Sequence, residues 1–134
     1  SMGPIYGTIF MEMADAGEDY EEIGTEELAT MLEAGLKGLC EIVEAQVGDK
    51  TLVDTLSPSV DALKKAQADG TDFKEALEKM KEAARTGRDS TKDMVAKFGR
   101  SSRLGERSRG VLDAGATSCC VILEAMADGI IEKL

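Results

Sequence analysis

The chain contains no histidine and no tryptophan, only two prolines and three cysteines, and aromatic residues make up 4% of its 134 positions. The lack of histidine removes the side chain most used as a general base near neutral pH and as a transition-metal ligand, so histidine-based hydrolase triads and zinc centres fall away. Positive charge is also scarce, with 16 Lys and Arg against 26 Asp and Glu and a formal net charge of -10. Nucleic acid repels such a chain unless a basic face is segregated, and general nucleic-acid binding is not expected. No tract approaches the roughly 18 apolar residues of a membrane span, and the first residues lack the basic and apolar regions of a signal peptide. No membrane association is expected, and the expected location is the cytoplasm. Cys40, Cys119 and Cys120 cannot all pair within one chain, and they read as small buried residues in a reducing compartment.

What is present is ordinary for a globular protein: 43% hydrophobic and 31% charged residues. The length suits one domain over 1–134, able to bury roughly two thirds of the surface of the unfolded chain. Alternating β-branched runs are missing while alanine, leucine, glutamate and lysine dominate. The expected class is all-α, with antiparallel neighbours joined by short loops.

The spacing predicts a short first helix over 8–13 and a polar linker over 15–24. Thr25 is a plausible N-cap, with Glu26 and Glu27 in the first turn. Apolar positions Leu28, Met31, Leu32, Leu36, Leu39 and Val43 carry a second helix to about Val47. Leu52, Val53 and Leu56 begin a third, which Ser57-Pro58 kinks or restarts and Gly70 closes. Asp72, with Glu75 three residues on, opens a fourth. Its apolar series Phe73, Leu77, Met80, Ala84, Gly87, Thr91, Met94 and Phe98 keeps phase through Gly87, which predicts one long helix ended by Gly99. The last helix, 116–134, is apolar on nearly all sides between Cys119 and Leu123 and is predicted to be the most buried.

Charge is segregated between these elements. The loop 99–115 holds Arg100, Arg103, Arg107 and Arg109 against Glu106 and Asp113, a net +2 that leaves -12 on the rest of the chain. No folding requirement calls for it. It reads as a receptor for a small multivalent anion or for an acidic partner surface. It also reads as an ordinary exposed loop in which Glu106 pairs with Arg103 or Arg107. Asp113 leads into the last helix, as its N-cap or as an acceptor for ligand hydroxyls. Gly48-Asp49-Lys50-Thr51 is not a Walker A loop, and a capping turn before the third helix explains its residue types equally well.

Four blocks taken together resemble a known family. Gly3-Pro4-Ile5-Tyr6-Gly7-Thr8, Gly48-Asp49-Lys50-Thr51-Leu52-Val53-Asp54, Gly99-Arg100-Ser101-Ser102-Arg103-Leu104-Gly105-Glu106-Arg107-Ser108 and Asp113-Ala114-Gly115-Ala116-Thr117-Ser118 look like the nucleotide-binding L subunit of bacterial dihydroxyacetone kinase. Order and spacing match along the chain. The resemblance implies a barrel of eight antiparallel helices, of which about five are expected here, with ADP or ATP held by loops at one end. It implies that bound nucleotide passes phosphate to dihydroxyacetone held on a substrate-binding kinase subunit. In the form that depends on the phosphotransferase system, a phosphocarrier subunit recharges the ADP. By position, Leu52 stands where the family usually has a methionine against adenine. Arg100 matches the arginine of the nucleotide site, and Asp113, Ala114 and Gly115 match its Asp-Pro-Gly loop. Gly3 matches the last glycine of a loop near the phosphates.

The departures also have consequences. The family's Mg2+ ions are held by an N-terminal Gly-Asp-Gly-Asp-His-Gly type loop that has no counterpart here, so this polypeptide is expected to be inactive alone. Val43 replaces a glycine used beside the nucleotide, and Ala114 replaces proline. The chain starts roughly one third of the way into the family's domain, and Ser1-Met2 resembles a cut end or an expression scar. A shortened piece would expose apolar faces, and self-association is expected. An alternative is a non-enzymatic interaction or regulatory module that docks a partner through the arginine-rich loop.

Overall fold

Apolar residues at three-four spacing resolve into five α-helices, with no strand, among the described residues: α1 (Gly3–Ala16), α2 (Thr25–Ile42), α3 (Val53–Ala68), α4 (Phe73–Ser90) and α5 (Ala114–Lys133). The structure is a computed structural model that describes residues 2–98 and 100–134, the side chains of Arg100 and Ser101 excepted. Short 3-10 segments, Thr91–Asp93 and Arg100–Ser108, lie between α4 and α5. The all-α class is as expected.

Contacts fix the helix directions. Gly17, Met13 and Gly35, Met31 approach in opposite order between α1 and α2. Late in α4, Gly87 meets Asp54 early in α3. Lys81 with Asp128 and Arg85 with Glu124 pair α4 to α5 in reverse register. Neighbours in sequence are thus antiparallel neighbours in space, and α3 also touches α5. Leu32, Leu39, Leu56, Val60, Leu63, Leu77 and Met80 fill the core between them. Full burial of each contributes about 1.5–3 kcal/mol.

Helix ends depart from the sequence reading in instructive ways. The cap of α2 is Gly24, not Thr25, because the Glu27 carboxylate accepts the Gly24 N–H at 2.8 Å. That helix stops at Ile42 rather than Val47. Asp49 and Asp54 draw the N–H groups of Gln46 and Gly48 into a turn, and such side-chain bonds compete with helix continuation. α3 runs through Pro58 unbroken. Pro58 has no N–H to give to the carbonyl of Asp54, four residues back, and Gly87 packs there so tightly that a Cβ would lie 2.1 Å from that oxygen. Gly70 at φ +72 follows α3, and the Asp72 carboxylate caps α4 by accepting the Glu75 N–H at 2.8 Å.

The single long helix expected to reach Phe98 is corrected: α4 ends at Ser90. There the hydroxyls of Ser90 and Thr91 donate to the carbonyls of Gly87 and Arg88, and the Thr91 N–H turns to the Arg88 carbonyl rather than to that of Gly87, four residues back. Gly99, expected as its terminator, lies outside the described residues. α5 is not the most buried helix, since Val121 is 59% exposed and α3 hides more of its length. Among the described residues α5 is also long and apolar enough to cross a membrane by length and composition, which corrects the expectation that no tract approaches a span. It instead packs on α3 and α4, with Glu124 and Asp128 paired to α4 cations.

Candidate functional site

Three connections meet at the end of the bundle where α2 and α4 finish and α3 and α5 begin. In the first, residues 43–52, the buried Asp54 carboxylate accepts the N–H groups of Gly48 at 2.6 Å and Thr51 at 2.8 Å. Gly48 sits at φ +103, a conformation natural to glycine. Asp49 accepts the Gln46 N–H at 2.9 Å and pairs with Lys97 at 3.1 Å. The Gln46 N–H first, and Lys97 second, hold the Asp49 carboxyl below its ordinary value.

The second connection, 91–98, returns to the first through the Lys97 N–H, which donates to the Asp49 carbonyl at 3.4 Å. The third precedes α5. The Gly110 N–H donates to the Lys92 carbonyl at 2.7 Å, and the Asp113 N–H donates to the Thr91 hydroxyl at 2.9 Å. The Asp113 carboxylate caps α5 by accepting the Ala116 N–H at 2.9 Å. Burial pushes the Asp113 carboxyl above its ordinary value, against the pull of the Ala116 N–H and the Lys50 ammonium.

Between these connections lies a cavity of about 590 Å³ whose walls include Leu39, Val43, Leu52, Phe98, Asp113 and Gly115. Its lining is mostly apolar, with Asp113, Lys50, Thr51 and Glu44 as the polar groups. Of the residues singled out in the sequence, Leu52, Asp113 and Gly115 come together on this wall. Gly115 fits closely, since a Cβ there would stand 3.2 Å from the Asp113 carboxylate and 3.6 Å from Leu52 Cβ. Gly3 and Ala114 do not line the cavity. Gly3 lies in the first turn of α1 between Met2 and Ile5, which do, and Ala114 is exposed. The Arg100 main chain opens the second 3-10 segment, and its side chain lies outside the described residues. Sequence reasoning missed Ile5, Leu39 and Phe98, whose apolar character signals core as readily as cavity.

The arginine-rich segment is more than an unconstrained loop. Buried Ser108 accepts the Ala96 N–H at 2.9 Å and donates to the Gly105 carbonyl, with Gly105 at φ +54. Glu106 pairs with Arg109 at 3.0 Å, not with Arg103 or Arg107, and Arg109 also donates to the Asp93 carbonyl. Arg103 and Arg107 are exposed and form no ion pair among the described residues. The first and last sequence blocks meet where the Tyr6 and Ser118 hydroxyls lie 2.6 Å apart. Among the described residues no group of three or more His, Cys, Asp or Glu is placed to hold a metal ion.

An apolar cleft with two carboxylates, those of Asp113 and Glu44, and with the positive end of α5 at its rim suits a flat apolar face carrying hydroxyls and an anionic tail. The DAK2 domain family model matches residues 1–128. Curated relatives include the ADP-binding subunit DhaL of a PEP-dependent dihydroxyacetone kinase from Listeria innocua, 40% identical over 92% of this chain and 57% of the relative. The corresponding Escherichia coli subunit is 36% identical over 93% of this chain and 60% of its own length. A subunit of a PTS-dependent kinase from Lactococcus lactis is 34% identical over 94% and 57%. The chain therefore spans about three fifths of the length of these relatives. With a match over nearly all of its length and this identity to characterised subunits, the chain belongs to the DAK2 domain family.

Proposed function

We propose that the chain binds a nucleoside phosphate, ADP or ATP, in the cavity between its three connections, and that it serves as the nucleotide-binding part of a dihydroxyacetone kinase. The observation that carries this is the convergence of Leu52, Asp113 and Gly115, from blocks about sixty residues apart, on one cavity of about 590 Å³. That volume lies within the range of small-molecule sites. ADP, when bound, supplies the carrier for the phosphoryl group. Leu52 and Val43 would pack the base, and Asp113 has lone pairs left beyond its cap bonds for a ribose hydroxyl. Gly115 lets the main chain approach closely, and the family resemblance assigns Arg100 to the phosphates. Gly3 and Ala114 would act through their neighbours rather than by contact.

The names of the relatives support the rest of the reading: an ADP-binding subunit works with others. We assign as partners a substrate-binding kinase subunit and, by analogy with the PTS-dependent relative, a phosphocarrier, all in the cytoplasm. Calorimetric titration of ADP, with and without magnesium, tests the reading. Binding to the wild type that is lost in Leu52→Asp is expected; absence of binding under both conditions overturns it.

A second reading is favoured by Arg103 and Arg107, exposed with no ion pair among the described residues. In it the segment docks an acidic partner surface. Arg103→Ala and Arg107→Ala would then weaken partner binding and leave ADP affinity unchanged.

A further inference from the structure

Lys50 is the least expected residue of the site. It is 2% exposed and stands at φ 63, the one described non-glycine residue with positive φ. Burying a lysine and holding it in the left-handed region are both unfavourable, so the surrounding structure must compensate.

The compensation is specific. Lys50 Nζ donates to the Thr91 carbonyl at 2.7 Å and to the Val111 carbonyl, partners 41 and 61 residues away. Thr91 is the C-cap of α4, at the negative end of the helix dipole where a cation is favoured, and its carbonyl also accepts the Met94 N–H at 3.1 Å. The Thr91 hydroxyl holds the Asp113 N–H, and Val111 lies two residues before that cap. One ammonium thus joins the turn before α3, the end of α4 and the approach to α5. With two of its three N–H groups committed to carbonyls, it keeps one donor for any other acceptor.

We infer that Lys50 is a positioning residue that pins the end of α4 and the 109–113 connection together, so that Asp113 and Gly115 are held beside Leu52 on the cavity wall. What occupies the cavity rests on the nucleotide reading; the pinning does not. Through this pin, ligand contacts at Leu52 and order in the distant connections become coupled.

Hydrogen-exchange mass spectrometry on the whole chain, beside ADP calorimetry, tests this with Lys50→Met, Lys50→Gly and Lys50→Arg. Lys50→Gly relieves the backbone strain while removing the ammonium, and Lys50→Arg keeps a cation. In the Met and Gly variants, peptides spanning 91–97 and 109–113 are expected to exchange faster together, by about tenfold or more, while α1 and α2 keep their protection. ADP affinity should fall by about the same factor, with Lys50→Arg between these and the wild type. Wild-type protection of both segments in Lys50→Gly overturns the inference, as does loss of protection in one segment alone. If Lys50→Met does not fold, the Gly and Arg variants decide. If the wild type binds no ADP, the nucleotide reading fails, and the exchange pattern still decides the role of Lys50.

Discussion

The hydroxyl oxygen of Thr91 accepts the main-chain N–H of Asp113 at 2.9 Å while donating to the Arg88 carbonyl at 2.7 Å. A fully buried side chain at the end of α4 therefore sets the position of the residue that caps α5. Thr91→Val keeps the shape and removes both bonds, leaving the Asp113 N–H unpaired. The expected cost is about 1–3 kcal/mol, read as a lower urea midpoint at unchanged m. Thr91→Ser, which retains the hydroxyl, should recover most of it, and a Ser variant no better than Val would show that packing, not the hydroxyl, matters.

Gly87 and Gly129 are both helical glycines, and they should respond oppositely to alanine. At Gly87 a Cβ would fall 2.1 Å from the Asp54 carbonyl oxygen, a main-chain atom at the start of α3 that cannot swing aside. Overpacking of this kind costs about 1–3 kcal/mol or more, which outweighs the propensity gain of about 1 kcal/mol. Nothing lies within 4 Å of a Cβ at Gly129, so Gly129→Ala should stabilise by about 0.5–1 kcal/mol. Thermal melts of the two variants against the wild type check both signs.

These contacts also explain what the sequence could disclose. Asp72 and Asp113 were legible as caps because an N-cap needs only its own carboxylate and an N–H three residues on. The helical phase of α4 was legible through Gly87, but its end was not. Thr91 and Met94 continue the apolar spacing, while the helix is stopped by hydroxyl bonds at Ser90 and Thr91 and by Lys50, 41 residues upstream. In the same way Leu52, Asp113 and Gly115, which line the cavity, could be proposed as site residues from the family resemblance, yet the lysine that ties their connections together could not. Nothing local separates an exposed turn lysine from one buried on two distant carbonyls.

Asp49 makes stability depend on acid. Its carboxyl is held below the ordinary 3.8 by the Gln46 N–H and then by Lys97. A depressed carboxyl contributes stability that is complete above the ordinary value and is lost as pH falls through the lower folded value. Asp49→Asn removes the titration, so its stability should fall less steeply below pH 3.8 than that of the wild type, alongside a constant loss near neutrality from the missing Lys97 pair. Urea midpoints measured across that range give the comparison, and parallel acid limbs would show that Asp49 contributes nothing to the slope.

The cysteines should divide by reactivity. All three were expected to be buried, but Cys40, on the outer face of α2, is exposed, while Cys119 and Cys120 face the core. Thiolate is the reactive form, and burial pushes the Cys119 thiol up to about 12. Cys120 rises to about 11, by burial first and then by its bond to the Glu124 carboxylate at 3.1 Å. Neither has appreciable thiolate at neutral pH, and the vicinal pair is shielded as well. A thiol reagent should modify Cys40 quickly and the other two only as the bundle opens, at a rate that follows denaturant. Rapid labelling of all three in the native protein would mean that α5 leaves its seat against α3 and α4 readily, and the cap at Asp113 would then be mobile on the same timescale.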